Sequence, residues 1–107
     1  MKTYYFNALI QDVEIRKFYV VDDEFVKNGK SIKYSYINLI CDVGANLNRV
    51  IFNDKNTSNI DKYKVGMFGD VLIRIDIKED FGKKCKLTLL DFIVKEVLQW
   101  KLGNCRN

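Results

Sequence analysis

A mainly β chain, with five strands closing into one barrel and a short helix between the third and fourth, is the fold this sequence predicts. Two observations predict it: apolar and polar residues alternate with a period of two over most of the chain, and turn-forming clusters separate the alternating runs. The clearest run lies between Gly69 and Val94. Val71, Ile73, Ile75 and Ile77 point one way and Asp70, Arg74, Asp76 and Lys78 the other, with Leu72 breaking the alternation. Glu79-Asp-Phe-Gly-Lys-Lys84 supplies a Gly-containing turn, and Cys85, Leu87 and Leu89 resume the alternation on the way back. The segment is therefore a long hairpin, with Phe81, Lys83, Lys84 and Lys86 at or beside its tip.

The other elements follow in chain order. Residues 8 to 21 read as a first long strand, with Leu9, Val13, Ile15, Tyr19 and Val21 on one face and Asp12, Glu14 and Arg16 on the other. A strand of that length bends or carries a bulge, which lets it serve two sheets. Asp22 to Ser31 holds turn chemistry, above all Asn28-Gly29, which favours positive φ and a tight reversal. A second strand runs from Ile32 to Val43, with Tyr34 and Tyr36 on one face and Ile37, Leu39 and Cys41 on the other. After Gly44-Ala-Asn46 comes a short third strand, Leu47 to Asn53, in which Arg49 alternates with apolar neighbours. In the polar run Asp54 to Asn59, Ser58 is placed to cap a two-turn helix carrying Ile60, Tyr63 and Met67. Val94 to Leu102 either extends the last strand or forms a C-terminal helix, and its Glu96, Leu98, Gln99 and Lys101 suit a helix slightly better.

Composition bounds what such a protein does. At 107 residues, 48% hydrophobic and 30% charged, the chain reads as a single domain over 1–107 with one small core. No apolar run approaches the roughly 18 to 20 residues of a membrane span, and the first residues lack a signal-peptide core, so a cytoplasmic protein or a processed fragment is expected, with no membrane partner. Cys41, Cys85 and Cys105 are too widely spaced for a metal knuckle and read as two strand thiols and a tail thiol. The sequence has no histidine, which removes His-dependent triads and most zinc catalysis. No phosphate-binding glycine loop, dinucleotide fingerprint or nucleophile elbow is present. The expectation is a protein that is not an enzyme and takes no cofactor or metal.

The net charge of +4 matters less than its placement. Lys27, Lys30 and Lys33 lie in a stretch, Phe25 to Cys41, with no acidic residue; Lys83, Lys84 and Lys86 form a second group. Asp22-Asp-Glu24 and Glu79-Asp80 adjoin these groups and neutralise part of them. Lysines that merely keep an edge-rich β protein soluble are an equal reading of the same pattern.

Strand, hairpin, strand, strand, short helix and closing hairpin is also the element order of the OB-fold, which the chain resembles over nearly its whole length. Lys64-Val-Gly-Met-Phe-Gly-Asp-Val-Leu-Ile-Arg-Ile75 looks like the start of the fourth strand in many OB proteins. SH3-like and Sm-like barrels start strands in the same way, so another five- or six-stranded barrel or sheet stays open. In size and plan the chain is similar to the small single-stranded-DNA-binding proteins of phages and conjugative elements of low-GC Gram-positive bacteria, and its richness in Lys, Asn, Ile and Tyr with no Pro suits AT-rich coding. It departs from the housekeeping type, which ends in an acidic partner-recruiting tail, because this chain ends Lys101-Leu-Gly-Asn-Cys-Arg-Asn107.

The resemblance implies a ligand face on the second and third strands, flanked by the loops joining strands one to two and four to five. Those elements carry Tyr34, Tyr36, Phe52 and Phe81 as candidate stacking rings and Lys27, Lys30, Lys33, Lys83, Lys84, Lys86 and Arg49 as candidate phosphate contacts. Rings that stack on bases and ammonium groups that track phosphates are what a single strand needs. Each has a plainer reading as well: Tyr34 and Tyr36 as half-buried strand residues, Phe52 as core, Phe81 folded over the barrel mouth, Arg49 and Arg74 paired with carboxylates across the sheet. The expected partner is single-stranded DNA, with RNA as the variant, in replication or transfer of a mobile element; oligomerisation is compatible with this. The alternative is an assembly module docking through a strand edge or the C-terminal segment around Trp100.

Overall fold

The computed structural model describes residues 2–79 and 83–97. They form five strands and one short 3-10 helix: β1 (Lys2–Lys27), β2 (Lys30–Val43), β3 (Asn48–Asp54), the 3-10 helix (Thr57–Lys62), β4 (Met67–Glu79) and β5 (Lys83–Val97). The sheet closes in a ring in the order β1-β2-β3-β5-β4, all neighbours antiparallel except a single parallel bridge, Asn53 with Thr88. The predicted number and order of strands hold.

The ring closes because β1 serves two partners. Lys2 to Ile10 pair with β4, from Glu79 back to Val71, while Ile15 to Lys27 pair with β2. Val13 and Glu14 belong to both ladders. Two register shifts bend the strand at this crossing, one between Ile10 and Val13 and one between Ile15 and Lys17. Asp12 takes φ 59° at the first of them, a left-handed conformation that aspartate tolerates better than most residues. β4 meets β5 with a register shift between Phe68 and Gly69, where a Cβ would run into the Ile93 carbonyl, so only glycine fits.

The inward face of the ring is the core. Val13, Ile15, Ile37, Leu39, Cys41, Phe52, Val71, Ile73 and Leu89 are buried, with Tyr63 and Met67 closing the volume beside the 3-10 helix. Val71 and Ile73 lie inside as their alternation predicts, but Ile75 and Ile77 are half-buried because β4 runs past the rim of the core. Two extensions leave the ring: a two-stranded ribbon of β1 and β2 ending at Lys27 and Lys30, and a three-stranded sheet of β1, β4 and β5 ending at Lys2, Glu79 and Lys83. They give the molecule its extent of 61 × 25 × 18 Å.

The larger differences from expectation are in β1 and the short helix. β1 is predicted over 8–21 and spans Lys2–Lys27, because Asp22, Asp23 and Glu24, which resemble a turn, are ladder residues held by cross-strand hydroxyls. Ser35 Oγ donates to Asp22 at 2.5 Å, the Tyr34 hydroxyl to Asp23 at 3.0 Å and Ser31 Oγ to Glu24 at 2.9 Å. The short helix is 3-10 and is capped by Asn56, whose Oδ1 accepts from the Ser58 amide and hydroxyl, so Ser58 is the capped residue and not the cap. Of the two alternatives for Val94 to Leu102, strand holds through Val97, and residues 98–102 lie outside the described residues. The Asn28-Gly29 turn is as predicted, with φ of 54° and 75° at its two central residues and Lys27 facing Lys30.

Candidate nucleic-acid interface

Register assigns the faces of the ribbon. Directly paired residues share a face, and Ile37, Leu39 and Cys41 face the core, so the outer face carries Tyr19 with Asn38, Val21 with Tyr36, Asp23 with Tyr34, Phe25 with Ile32, and Lys27 with Lys30. Four aromatic rings thus line one surface that ends in two lysines at the tip. Tyr34 and Tyr36 stack with centroids 6.0 Å apart and planes 19° apart, and Phe25 meets Tyr34 edge-on at 5.6 Å. The rings of Tyr19, Phe25 and Tyr34 are 40%, 46% and 39% exposed, so flat apolar surface is open to solvent. Lys17 Nζ sits 5.5 Å from the centre of the Tyr19 ring. The hydrogen bond to Asp23 fixes Tyr34 and raises its phenol above the ordinary value.

The structure gathers some of the expected site residues and separates others. Tyr34, Tyr36, Lys27 and Lys30 share the outer face of the ribbon. Lys33 does not: it pairs with Glu24 on the reverse face, which also carries the carboxylate of Asp22 opposite Ser35. Phe52 is 1% exposed, opposite Leu39 inside the core, where no base reaches it; the outward residues of β3 are its neighbours Ile51 and Asn53. Arg49 lies on the outer face at the start of β3, with its Nε 2.8 Å from Asp42 Oδ1. Asp42 also holds Arg16 at 3.4 Å, and Arg16 reaches Glu14 at 2.9 Å, so Arg49 shares its carboxylate with a second guanidinium.

Lys86 stands on the outer face of β5 beside Asp76 and Arg74, away from the ribbon. The backbones of Lys83 and Lys84 pair with Glu79 and Lys78, and Phe81 lies outside the described residues. The two hairpin tips pair with opposite ends of β1, at Lys27 and at Lys2, so the lysines expected on both sides of one groove belong to two regions of the outer surface. Phe25 and Tyr19 are additions. Phe25 was legible once the strand is extended to Lys27, since it then has the parity of Tyr34's partner Asp23 and of Lys27.

The remaining chemistry is structural. Cys41 is buried, which pushes its thiol up to about 12 and keeps it protonated and unreactive, whereas Cys85 is exposed. Among the described residues no group of three or more Cys, Asp or Glu side chains is placed to hold a metal ion, and no helix is long and apolar enough to cross a membrane. Comparison with protein-family models, curated proteins and solved structures gives no match.

Proposed function

We propose that the ring is an OB-fold and that its outer face over β1, β2 and β3 binds single-stranded nucleic acid, DNA in the first place, with low sequence preference. The observation that carries this reading is the cluster of exposed Phe25 and Tyr34 with half-buried Tyr36, beside Lys27 and Lys30. Its support at the level of fold is the strand order with the parallel β3–β5 bridge and the 3-10 helix between β3 and β4, the plan in which the second and third strands present oligonucleotides. Bases stack on the rings, at roughly 1 to 3 kcal/mol each, and the ammonium groups of Lys27 and Lys30 take phosphates at the tip. Asn38, Asn53 and Tyr19 form an uncharged, hydrogen-bonded border beside the rings, and the carboxylate among the rings, Asp23, accepts from the Tyr34 hydroxyl. The module is non-catalytic and serves to protect or present a strand during replication or transfer of a mobile element, in the cytoplasm, singly or as a homo-oligomer.

Titration of labelled oligo-dT at two salt concentrations tests the proposal. Binding at low salt that weakens with a log–log slope of about −0.7 per neutralised phosphate supports it. Absence of binding at low salt overturns it.

A second reading is favoured by the ribbon itself. Among the described residues, from Val20 to Lys27 and from Lys30 to Tyr36 each strand has one neighbour, which leaves both edges without a partner there, and Val26 is 73% exposed. Such edges suit strand addition by another chain, which would make the ribbon an assembly element. Sedimentation at rising concentration, run beside the oligo-dT titration, separates the readings: self-association by a protein that binds no oligo-dT is its signature.

A further inference from the structure

The outer face of β4 and β5 holds an arrangement that the stacking surface leaves unused. A cavity of about 400 Å³ opens there, lined by Lys55, Arg74, Asp76, Lys78, Cys85 and Lys86, so four cations surround one carboxylate. That carboxylate is already engaged, since Arg74 Nε donates to Asp76 Oδ1 at 3.1 Å. The guanidinium is fixed a second time by its face, with Cζ 4.2 Å from the centre of the Tyr5 ring. Held by Nε and by one face, Arg74 keeps its two terminal amino groups, which make no hydrogen bond among the described residues. An oriented guanidinium fork matches two oxygens of a phosphate, and three neighbouring ammonium groups raise the local potential for one.

A second observation links this cavity to the ribbon. One rung of the register crosses the whole outer face: Tyr19, Asn38, Asn53, Thr88, Arg74 and Asn7 are successive partners. Asn53 Nδ2 donates to Asn38 Oδ1 at 2.6 Å and Asn38 Nδ2 to the Tyr19 hydroxyl at 3.2 Å. Thr88, beside Arg74 on the rung, is 5% exposed, and its Oγ1 has no hydrogen-bond partner among the described residues. Four strand spacings, about 19 Å, separate Tyr19 from Arg74 along the rung.

We propose that this cavity is a phosphate-group site with Arg74 as the bidentate ligand, and that a single strand stacked on the ribbon delivers a backbone phosphate to it along the polar rung. The source of the phosphate rests on the nucleic-acid reading above; the anion site does not. Arg74 and Lys86 then join Lys27 and Lys30 as contacts that make binding salt-dependent, while Tyr34 and Tyr36 supply affinity that salt leaves alone.

Cys85 borders the cavity beside Lys86, on the face of its partner Ile77, and is exposed, which makes it a reporter at the cavity's rim. Its alkylation by iodoacetamide, followed peptide by peptide, is expected to slow at least threefold in pyrophosphate relative to sodium chloride of equal ionic strength. Arg74→Gln and Lys86→Gln should each weaken that protection while thermal unfolding shows both variants folded. Protection no greater than in chloride, or protection that survives in both variants, overturns the anion site. Oligo-dT should protect Cys85 as well, and Arg74→Gln should make the salt slope shallower by about 0.7, one phosphate. Oligo-dT that binds without protecting Cys85, or with an unchanged slope in Arg74→Gln, overturns the strand path. Pyrophosphate protection with no oligo-dT binding leaves the anion site standing and removes the nucleic-acid function instead.

Discussion

Asp54 is a buried carboxylate, 4% exposed, that is satisfied by neutral donors. It accepts from the Tyr63 hydroxyl at 2.5 Å, from Asn59 Nδ2 at 2.8 Å and from the Asn56 amide at 2.9 Å, and so ties both ends of the 3-10 helix to the end of β3. Burial first, and then the bond to Asp54, pushes the Tyr63 phenol well above its ordinary value, so it remains a donor throughout the accessible pH range. Tyr63→Phe keeps the ring, including its edge contact with Phe18 at 6.1 Å, and deletes only that donor. The expected cost is about 1 to 3 kcal/mol in urea unfolding at neutral pH, because a buried carboxylate oxygen loses a partner. Unchanged stability would mean that the tyrosine hydroxyl does not hold the carboxylate. Sequence made Tyr63 legible as the apolar side of a short helix, but not its role: it follows the helix as the C-cap, and its partner lies nine residues earlier in a run of polar residues that composition cannot rank.

At the scale of elements, β1 decides the architecture, and its bend is fastened by charge. Lys95 Nζ reaches Asp12 Oδ1 at 3.1 Å and Asp70 Oδ1 at 2.9 Å, while Asp70 also accepts the Asp12 amide at 3.3 Å. The hydrogen bond from Lys95 holds the Asp70 carboxyl below its usual range, and the same bond raises Lys95. A carboxyl depressed on folding adds stability that is present above the unfolded value, near 3.9, and is lost as pH falls through the lower folded value. The raised lysine adds stability present below about 10.4, lost as pH climbs through its folded value. Lys95→Met should therefore be less stable than the natural protein by a constant amount between these limits, with the gap closing on acidification. In an NMR titration the Asp70 midpoint should return to the ordinary carboxylate range in Lys95→Met. An Asp70 midpoint that does not move would show that Lys95 is not its partner in solution. Period-two alternation revealed that β1 is long and must bend, but Asp22 to Glu24 hid its end, since three acids in a row look like a turn until their cross-strand hydroxyls are known.

For the molecule as a whole, the order of elements was legible because each strand inside the ring needs one apolar face, and that need writes a period of two into the sequence. The ribbon was less legible for the same reason: beyond the core neither face is required to be apolar, and its aromatic side is the outer one. Phe52 and Tyr36 illustrate the difference. Both are aromatics in strands with apolar neighbours, yet the register sends Phe52 opposite Leu39 inward and Tyr36 opposite Val21 outward. If the outward rings are the stacking surface, they contribute to binding without supporting the core. Tyr34→Ala and Tyr36→Ala should each weaken oligo-dT binding about tenfold, the lower end of a lost stacking contact of roughly 1 to 3 kcal/mol. The salt slope should stay unchanged, because neither substitution removes a phosphate contact. Fluorescence anisotropy over a range of salt, with thermal unfolding run in parallel, reads both quantities. Variants that remain folded and bind as tightly as the natural protein would remove the ribbon from the binding surface, whereas a shallower slope would mean that the rings act by placing the lysines of the tip rather than by stacking.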